Sequence, residues 1–217
     1  MSKLTLFHFP GACSRVTMIA LEQVGADYDD VMVNLMAGEH RAPAYQGVNP
    51  RGKVPALLID GELLSENAAI LTWIDSQWPG AGLLPQADDA LTRARYLSDL
   101  FWISSVWHPY VRANKAPMRW TTGDVAPVRE RGVELLTPCV EQLDARLAAG
   151  TWWYGDHWSI LDVYFYWAYT TAAEGAFPLS PFANIARHRT AIEAMPAFAR
   201  MQAREAAAKA RAETARG

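Results

Sequence analysis

Apolar and polar positions change rhythm near residue 80. Before that point, short runs alternate between strand and helix spacing. Leu4 to Phe9 is an apolar run with β formers, stopped by Pro10-Gly11. From Cys13 to Val24 the apolar positions Val16, Ile19, Ala20 and Val24 fall at helical spacing, and Gly25 is a natural stop. Tyr28 to Leu35 predicts a second strand with Val31 and Val33 on one face. Gly38 to Asn49 is polar and interrupted, at best a short irregular helix. Val54 to Ile59, the turn Asp60-Gly61 and Glu62-Leu63-Leu64 spell a hairpin. Glu66 to Trp78 is helical and closes at Trp78-Pro79-Gly80. The order β-α-β-(α)-β-β-α implies a mixed sheet with helices packed on it.

Pro79 to Asp89 holds glycines, two prolines and two aspartates, and reads as an interdomain linker. Beyond it the pattern is helical throughout: residues 90–115, 125–149, 160–171, 182–194 and 197 to about 212. No run there resembles a strand bounded by turns. The expected fold class is α/β plus all-α, with domains at 1–80 and 90–217 joined by a linker at 81–89. Ser159 and Asp162 form a capping-box pattern, with Asp in the place usually taken by Glu or Gln. The helix behind them has few polar side chains and should be the buried centre of the bundle. The alanine-rich tail from Ala203 has high helix propensity but little to bury, so it is expected to fray.

Composition narrows the classes. The 217 residues are 51% apolar and 20% charged, enough for a substantial core. A net charge of −3 gives no electrostatic reason to expect nucleic acid or an anionic membrane. Cys13 and Cys139 make neither a disulfide scaffold nor a four-cysteine zinc site, and five scattered histidines offer no metal spacing. His8, Pro10, Gly11 and Arg15 interrupt the first apolar stretch, which makes a poor signal peptide. No apolar run approaches 18 residues. A reducing cytoplasm, no metal, no nucleic acid and no membrane are the expectations.

Four segments could carry chemistry. Pro10-Gly11-Ala12-Cys13-Ser14-Arg15 is a turn leading straight into a helix. A thiol or hydroxyl there sits at the positive end of the macrodipole, which favours a thiolate, its own or a ligand's. A free thiol has a pKa of about 8.5, and lowering it by two units takes roughly 2.7 kcal/mol. On position alone, a plain helix cap is the commoner role for either residue. Val54-Pro55 opens the third strand, where proline removes a ladder donor. An X-Pro bond is cis in only about 5–6% of cases, so the bare sequence reads trans. Leu64-Ser65-Glu66-Asn67 opens a helix whose N–H groups could hold a ligand carboxylate, with Glu66 facing an ammonium. His108 lies in an aromatic helical stretch, where a packed structural role is the commoner one, and Pro109 would kink the helix there.

Together, in this order, the segments resemble a cytosolic glutathione S-transferase over essentially the whole chain. The matching stretches are Pro10 to Ser14, Asn49 to Leu57, Ser65 to Leu71, and Trp158-Ser159-Ile-Leu-Asp162. Pro-Gly-Ala-Cys-Ser looks most like the bacterial beta class, and His108 falls where that class carries an active-site histidine. That class usually has a lysine next, where this chain has Pro109. The resemblance implies a thioredoxin-like first domain, an all-helical second domain and glutathione as co-substrate. It implies a cis Pro55 placing the Val54 main chain against the cysteinyl backbone, Glu66 and Asn67 at the γ-glutamyl end, and Lys53 at the glycyl end. Asp99 would reach across a homodimer interface. Cys13 or Ser14 would lie at the sulfur, and His108, Phe9, Trp107 and Tyr110 would line the pocket for a small apolar electrophile.

The implied activity is detoxifying transfer of the glutathione sulfur. Thioltransferase or reductase chemistry on Cys13, β-etherase-type cleavage with Ser14, and a non-catalytic glutathione or apolar-ligand binder are the alternatives.

Overall fold

The computed structural model describes residues 2–214. Met1 and residues 215–217, which fall inside the two sequence-defined domains, lie outside the described residues. Two compact units are present: Met1–Ala81 with Ala194–Gly217, and Gly82–Glu193.

The first unit holds β1 (Leu4–His8), α1 (Ser14–Val24), β2 (Asp29–Met32), α2 (Pro43–Gln46), β3 (Ala56–Ile59), β4 (Glu62–Ser65) and α3 (Asn67–Gln77). The sheet order is β2-β1-β3-β4. β1 runs parallel to β2, with Thr5 opposite Asp29, and antiparallel to β3, with Leu6 opposite Leu57. The period of two places Leu4, Leu6 and His8 inward. Val16, Ile19 and Ala20 of α1 are fully buried. Gly25 ends α1 in the left-handed region at φ +67°, its N–H donating to the Glu22 carbonyl.

The chain returns to this unit at its end. α9 (Pro196–Thr214) packs on α1 and β2, so its contacts group it with the first unit, although the sequence boundary sets it with the helical domain. The expected fraying beyond Ala203 is corrected here. Phe198, Met201, Glu205 and Ala208 are buried along one stripe. Buried Glu22 receives Arg200 Nε at 3.0 Å, Arg204 Nε at 2.6 Å and the Tyr28 hydroxyl at 2.8 Å. The tail fell short in apolar area alone; its arginines supply the rest of the attachment.

The second unit holds α4 (Ala90–Trp102), α5 (His108–Lys115), α6 (Ala126–Leu147), α7 (Ile160–Glu174) and α8 (Ala183–Glu193). Between α4 and α5, residues Ile103–Trp107 form a π-helical turn, in which the His108 N–H donates to the Ile103 carbonyl five residues back. Pro109 has no N–H to continue the α-helical ladder, and the helix widens just before it rather than breaking. α7 is buried over Ile160 to Tyr169, as its sequence predicts. Around it Trp102, Trp107, Trp153 and Phe165 stack with centroid separations between 4.8 and 6.1 Å. The capping box is formed. Asp162 accepts from the Ser159 N–H at 2.9 Å and hydroxyl at 3.1 Å, the Trp153 N–H at 2.7 Å and His188 Nε2 at 3.2 Å.

Candidate functional site

In the first unit, β1 hands the chain to α1 through a turn closed by the Ala12 N–H on the Phe9 carbonyl at 3.0 Å. Gly11 makes the turn at φ +78°, where a side chain would be strained. Cys13 is the residue before α1 and is 5% exposed. Its Sγ lies 3.5 Å from the Val54 carbonyl, and the Val54–Pro55 bond is cis, as the resemblance implies and against the bare base rate. The Arg15 and Val16 N–H groups are taken by the Ala12 and Cys13 carbonyls. What α1 offers a thiolate at this point is therefore its dipole more than these amides.

Ser14 is placed differently. It is fully buried, and its hydroxyl accepts from the Phe9 N–H at 3.1 Å and donates to the Phe9 carbonyl at 3.3 Å. It ties the end of β1 to α1. Asn67 is likewise turned inward: Nδ2 donates to the Cys13 carbonyl at 3.0 Å and Oδ1 accepts the Thr17 hydroxyl at 2.7 Å. Its side chain thus braces the main chain of the thiol-bearing residue. The Lys53 side chain is exposed, while its carbonyl takes the Tyr45 hydroxyl at 2.5 Å and Asn49 Nδ2 at 2.8 Å. Burial raises the Tyr45 pKa, which keeps this donor protonated.

Glu66 stands just before α3 at φ +74°, a conformation costing of order 1–3 kcal/mol outside glycine. Its carbonyl accepts the Ile70 N–H at 3.0 Å, and its exposed carboxylate meets Arg51 Nη1 at 3.0 Å. Arg51 also reaches the Ser65 hydroxyl at 3.2 Å. Cys13, Val54 and Asn67 are thereby joined by direct hydrogen bonds, and Glu66 and Lys53 are their chain neighbours.

The remaining expected residues sit in the helical unit, Phe9 apart. Arg112 Nε donates to His108 Nε2 at 3.3 Å. A guanidinium can only donate, so Nε2 accepts and the ring proton is on Nδ1, facing the Tyr164 hydroxyl at 3.1 Å. Trp107 is fully buried against Trp102 and Phe165, a core residue of this unit. Tyr110 lines a cavity of about 410 Å³ with Pro109, Ala113, Trp120, Val128 and Leu135. Asp99 Oδ2 accepts Trp153 Nε1 at 2.9 Å and the Tyr154 hydroxyl at 2.8 Å, fastening α4 within its own unit. Phe9 is half-buried, with both its peptide groups on Ser14. Among the described residues, no group of three or more His, Cys, Asp or Glu is placed to hold a metal ion, and no helix is long and apolar enough to cross a membrane.

One contributor is missing from the sequence reading. Glu205 of α9 accepts the Gly11 N–H at 3.1 Å and both Arg15 Nε and Nη2, at 3.2 and 2.7 Å. Its signal is a carboxylate on the apolar stripe Ala197-Phe198-Met201-Glu205-Ala208, an arrangement that calls for a buried cation.

Comparison with known proteins identifies the family. The family model of the glutathione S-transferase N-terminal domain matches residues 2–76. A maleylacetoacetate isomerase of Pseudomonas aeruginosa is 34% identical over 187 residues, covering 83% of this chain and 86% of that protein. The chain belongs to the glutathione S-transferase superfamily. Among solved structures of the superfamily, a sphingomonad glutathione S-transferase complexed with glutathione superposes with a TM-score of 0.81 at 33% identity, covering 93% of this chain and 98% of that one. The beta class glutathione S-transferase of Sphingomonas chungbukensis gives 0.81 at 31% identity, over the same shares. The matches thus span isomerase relatives and a beta class structure. They establish the superfamily, and do not single out the beta class expected from Pro-Gly-Ala-Cys-Ser.

Proposed function

We propose that this chain is a glutathione-dependent enzyme that binds the tripeptide on its first unit and sets the sulfur beside Cys13, for attack on a small apolar electrophile. One observation carries the choice of residue: the Ser14 hydroxyl is buried and engaged on both sides by Phe9, whereas Cys13 Sγ lies at the Val54 carbonyl. In this reading the Val54 main chain pairs with the cysteinyl backbone. Glu66 takes the ammonium of the γ-glutamyl end, and Lys53 takes the glycyl carboxylate. Asn67 contributes through its place at the start of α3, its side chain being engaged with Cys13 and Thr17. A homodimer in the cytoplasm is the setting this reading implies.

The reaction is simple to balance. The thiol proton leaves to solvent, the sulfur lone pair forms a carbon–sulfur bond, and the leaving group departs with its electron pair. The dipole of α1 favours the anion, and holding both reactants supplies the proximity term. A second reading is favoured by the isomerase relative at 34% identity. There the same thiolate adds to an activated double bond, the former double bond rotates, and the sulfur leaves again, so glutathione is returned.

Stoichiometry separates these outcomes. Conjugation consumes one thiol per turnover of an aryl halide and releases one halide; isomerisation of a conjugated cis-dienoic acid consumes none. Cys13→Ala should lower either rate at least about tenfold with glutathione still bound. Ser14→Ala should act mainly through stability. Loss of turnover in Ser14→Ala at unchanged stability, with Cys13→Ala fully active, would overturn the assignment. A reducible glutathione adduct on Cys13 during turnover of a disulfide substrate would move the chemistry to thioltransfer. Calorimetry showing no affinity for glutathione at millimolar levels would end the reading altogether.

A further inference from the structure

The turn that carries Cys13 is held from the far end of the chain. Glu205 lies 194 residues from Gly11 and 190 from Arg15, yet one carboxylate meets both. Gly11 and Arg15 flank the segment Ala12-Cys13-Ser14. Fixing the N–H of the first and the guanidinium of the second pins both ends of the segment that carries the thiol. The side chain of Glu205 is 8% exposed and that of Arg15 is 24% exposed, so the contact is largely removed from water. It is also charge-assisted and two-pronged, the geometry that fixes direction as well as distance.

Attachment of α9 does not rest on Glu205 alone. Arg200 and Arg204 hold Glu22, Arg204 and Arg211 hold Asp30, and Phe198 and Met201 are buried. Glu205 instead turns toward the βα turn. A cation in the first turn of α1 opposes the helix dipole, and the carboxylate offsets it there. The position of Cys13 Sγ at the Val54 carbonyl is thus bounded by the segment leading into β3 on one side and by the Glu205 bracket on the other.

We infer that Glu205 is a positioning residue: it holds Gly11 and Arg15 so that the Cys13 thiol keeps its place against Val54. The inference rests on the reading that Cys13 serves the glutathione sulfur. It extends the site to α9, a helix distant in sequence from every glutathione-site residue named above.

The test uses the full-length chain and three variants, Glu205→Ala, Glu205→Gln and Arg15→Met. Two readouts run in parallel: turnover with glutathione, and the rate at which iodoacetamide alkylates Cys13 and Cys139, resolved by mass spectrometry. Cys139 is the internal control, since it is buried in α6 of the other unit. In Glu205→Ala, kcat should fall about 10- to 100-fold, the scale of an ångström-sized misplacement. Alkylation of Cys13 should quicken about tenfold while that of Cys139 stays within twofold. Glu205→Gln keeps an oxygen for the Gly11 N–H and should recover most of both effects. Arg15→Met should fall between the two.

Unchanged Cys13 alkylation and kcat in Glu205→Ala would overturn the inference. So would equal acceleration at Cys13 and Cys139, which marks general loosening. If Glu205→Ala fails to fold, the order of Glu205→Gln and Arg15→Met decides: equal Cys13 reactivity in both and in the parent chain also overturns it. Failure of the parent reading is separate: the unmodified chain would show no calorimetric affinity for glutathione, whatever the alkylation rates.

Discussion

The start of α7 and the clasp of α9 each bury a carboxylate, and they surround it differently. Asp162 lies fully inside the helical unit and receives two backbone N–H groups, a hydroxyl and an imidazole nitrogen. Three of those four donors come from within nine residues of it. Glu22 is buried in the first unit and receives two guanidinium groups from 178 and 182 residues away, with the Tyr28 hydroxyl. The side chains of Arg200 and Arg204 are 51% and 34% exposed. One unit satisfies its charge with local dipoles, the other with opposite charges brought from the chain's end. The first solution should be insensitive to salt, because three of its four donors are neutral groups close by in the chain. The second depends on ionic conditions, and on the last helix being present.

Asp162→Ala should produce the largest loss. It leaves the Trp153 and Ser159 N–H groups buried without an acceptor, at about 1–3 kcal/mol each. A total of about 3–5 kcal/mol is expected from urea unfolding, with the same value at low and high salt. A loss under about 1 kcal/mol would mean that other groups take over these donors. Glu22→Ala should cost less, about 2–3 kcal/mol, because the freed arginines can turn to water. Its signature is local: hydrogen exchange should rise first along 196–214, ahead of the sheet. A uniform rise would show that α9 and the sheet open as one body, and the contrast between the two carboxylates would weaken.

The clasp also predicts an acid limb. Burial of Asp30 works against its charge, but His8, Arg211 and Arg204 outweigh that and hold its pKa below the usual carboxylate range. A depressed pKa stabilises the fold fully above the unfolded value of about 3.9. That contribution is lost as pH falls from there through the lower folded value. Asp30→Asn should flatten this part of the stability curve and leave the neutral region lower. An identical slope in parent and variant below pH 4 would remove Asp30 from the account. Tyr28 belongs to the same cluster: burial and Glu22 push its pKa far above the ordinary range, so it stays a donor at any pH where the chain is folded.

What the sequence made legible follows the same division between local and distant partners. The helical stretches expected at 90–115, 125–149 and 160–171 were readable because their apolar spacing is local, and Ser159 with Asp162 was readable as a box within four residues. The β-hairpin was readable for the same reason, although β3 begins at Ala56 and leaves Val54-Pro55, expected to open it, just outside the strand. The π-helical turn before His108 was visible only as a disturbance at Pro109, since a proline fixes the missing donor but not how the helix absorbs it. The inward use of Ser14 and Asn67 was not visible: a hydroxyl or amide at a helix start can face either a ligand or the main chain. The place of α9 was the largest omission. Its alanine-rich run offers little apolar area to bury, and only the distant partners of its arginines, Glu22 and Asp30, show how it is held.

The smallest expected effect on stability is at Glu66, and it sharpens the contrast most. The Arg51–Glu66 pair is made by the same kinds of group as the α9 clasp, yet its side chains are 63% and 66% exposed. An ion pair so open to water contributes about 0–1 kcal/mol. Glu66→Gln should therefore leave the unfolding midpoint nearly unchanged, within about 0.5 kcal/mol. The strained φ of +74° stays, because glutamine carries the same backbone restriction. In the proposed function this exposed carboxylate serves the γ-glutamyl ammonium, not packing. The same substitution should weaken glutathione binding about tenfold by calorimetry, the loss of one charge-assisted contact to an ammonium. Equal binding in the two proteins would return Glu66 to the surface and leave its backbone conformation without a functional account. A large loss of stability would instead put it in the same group as Glu22.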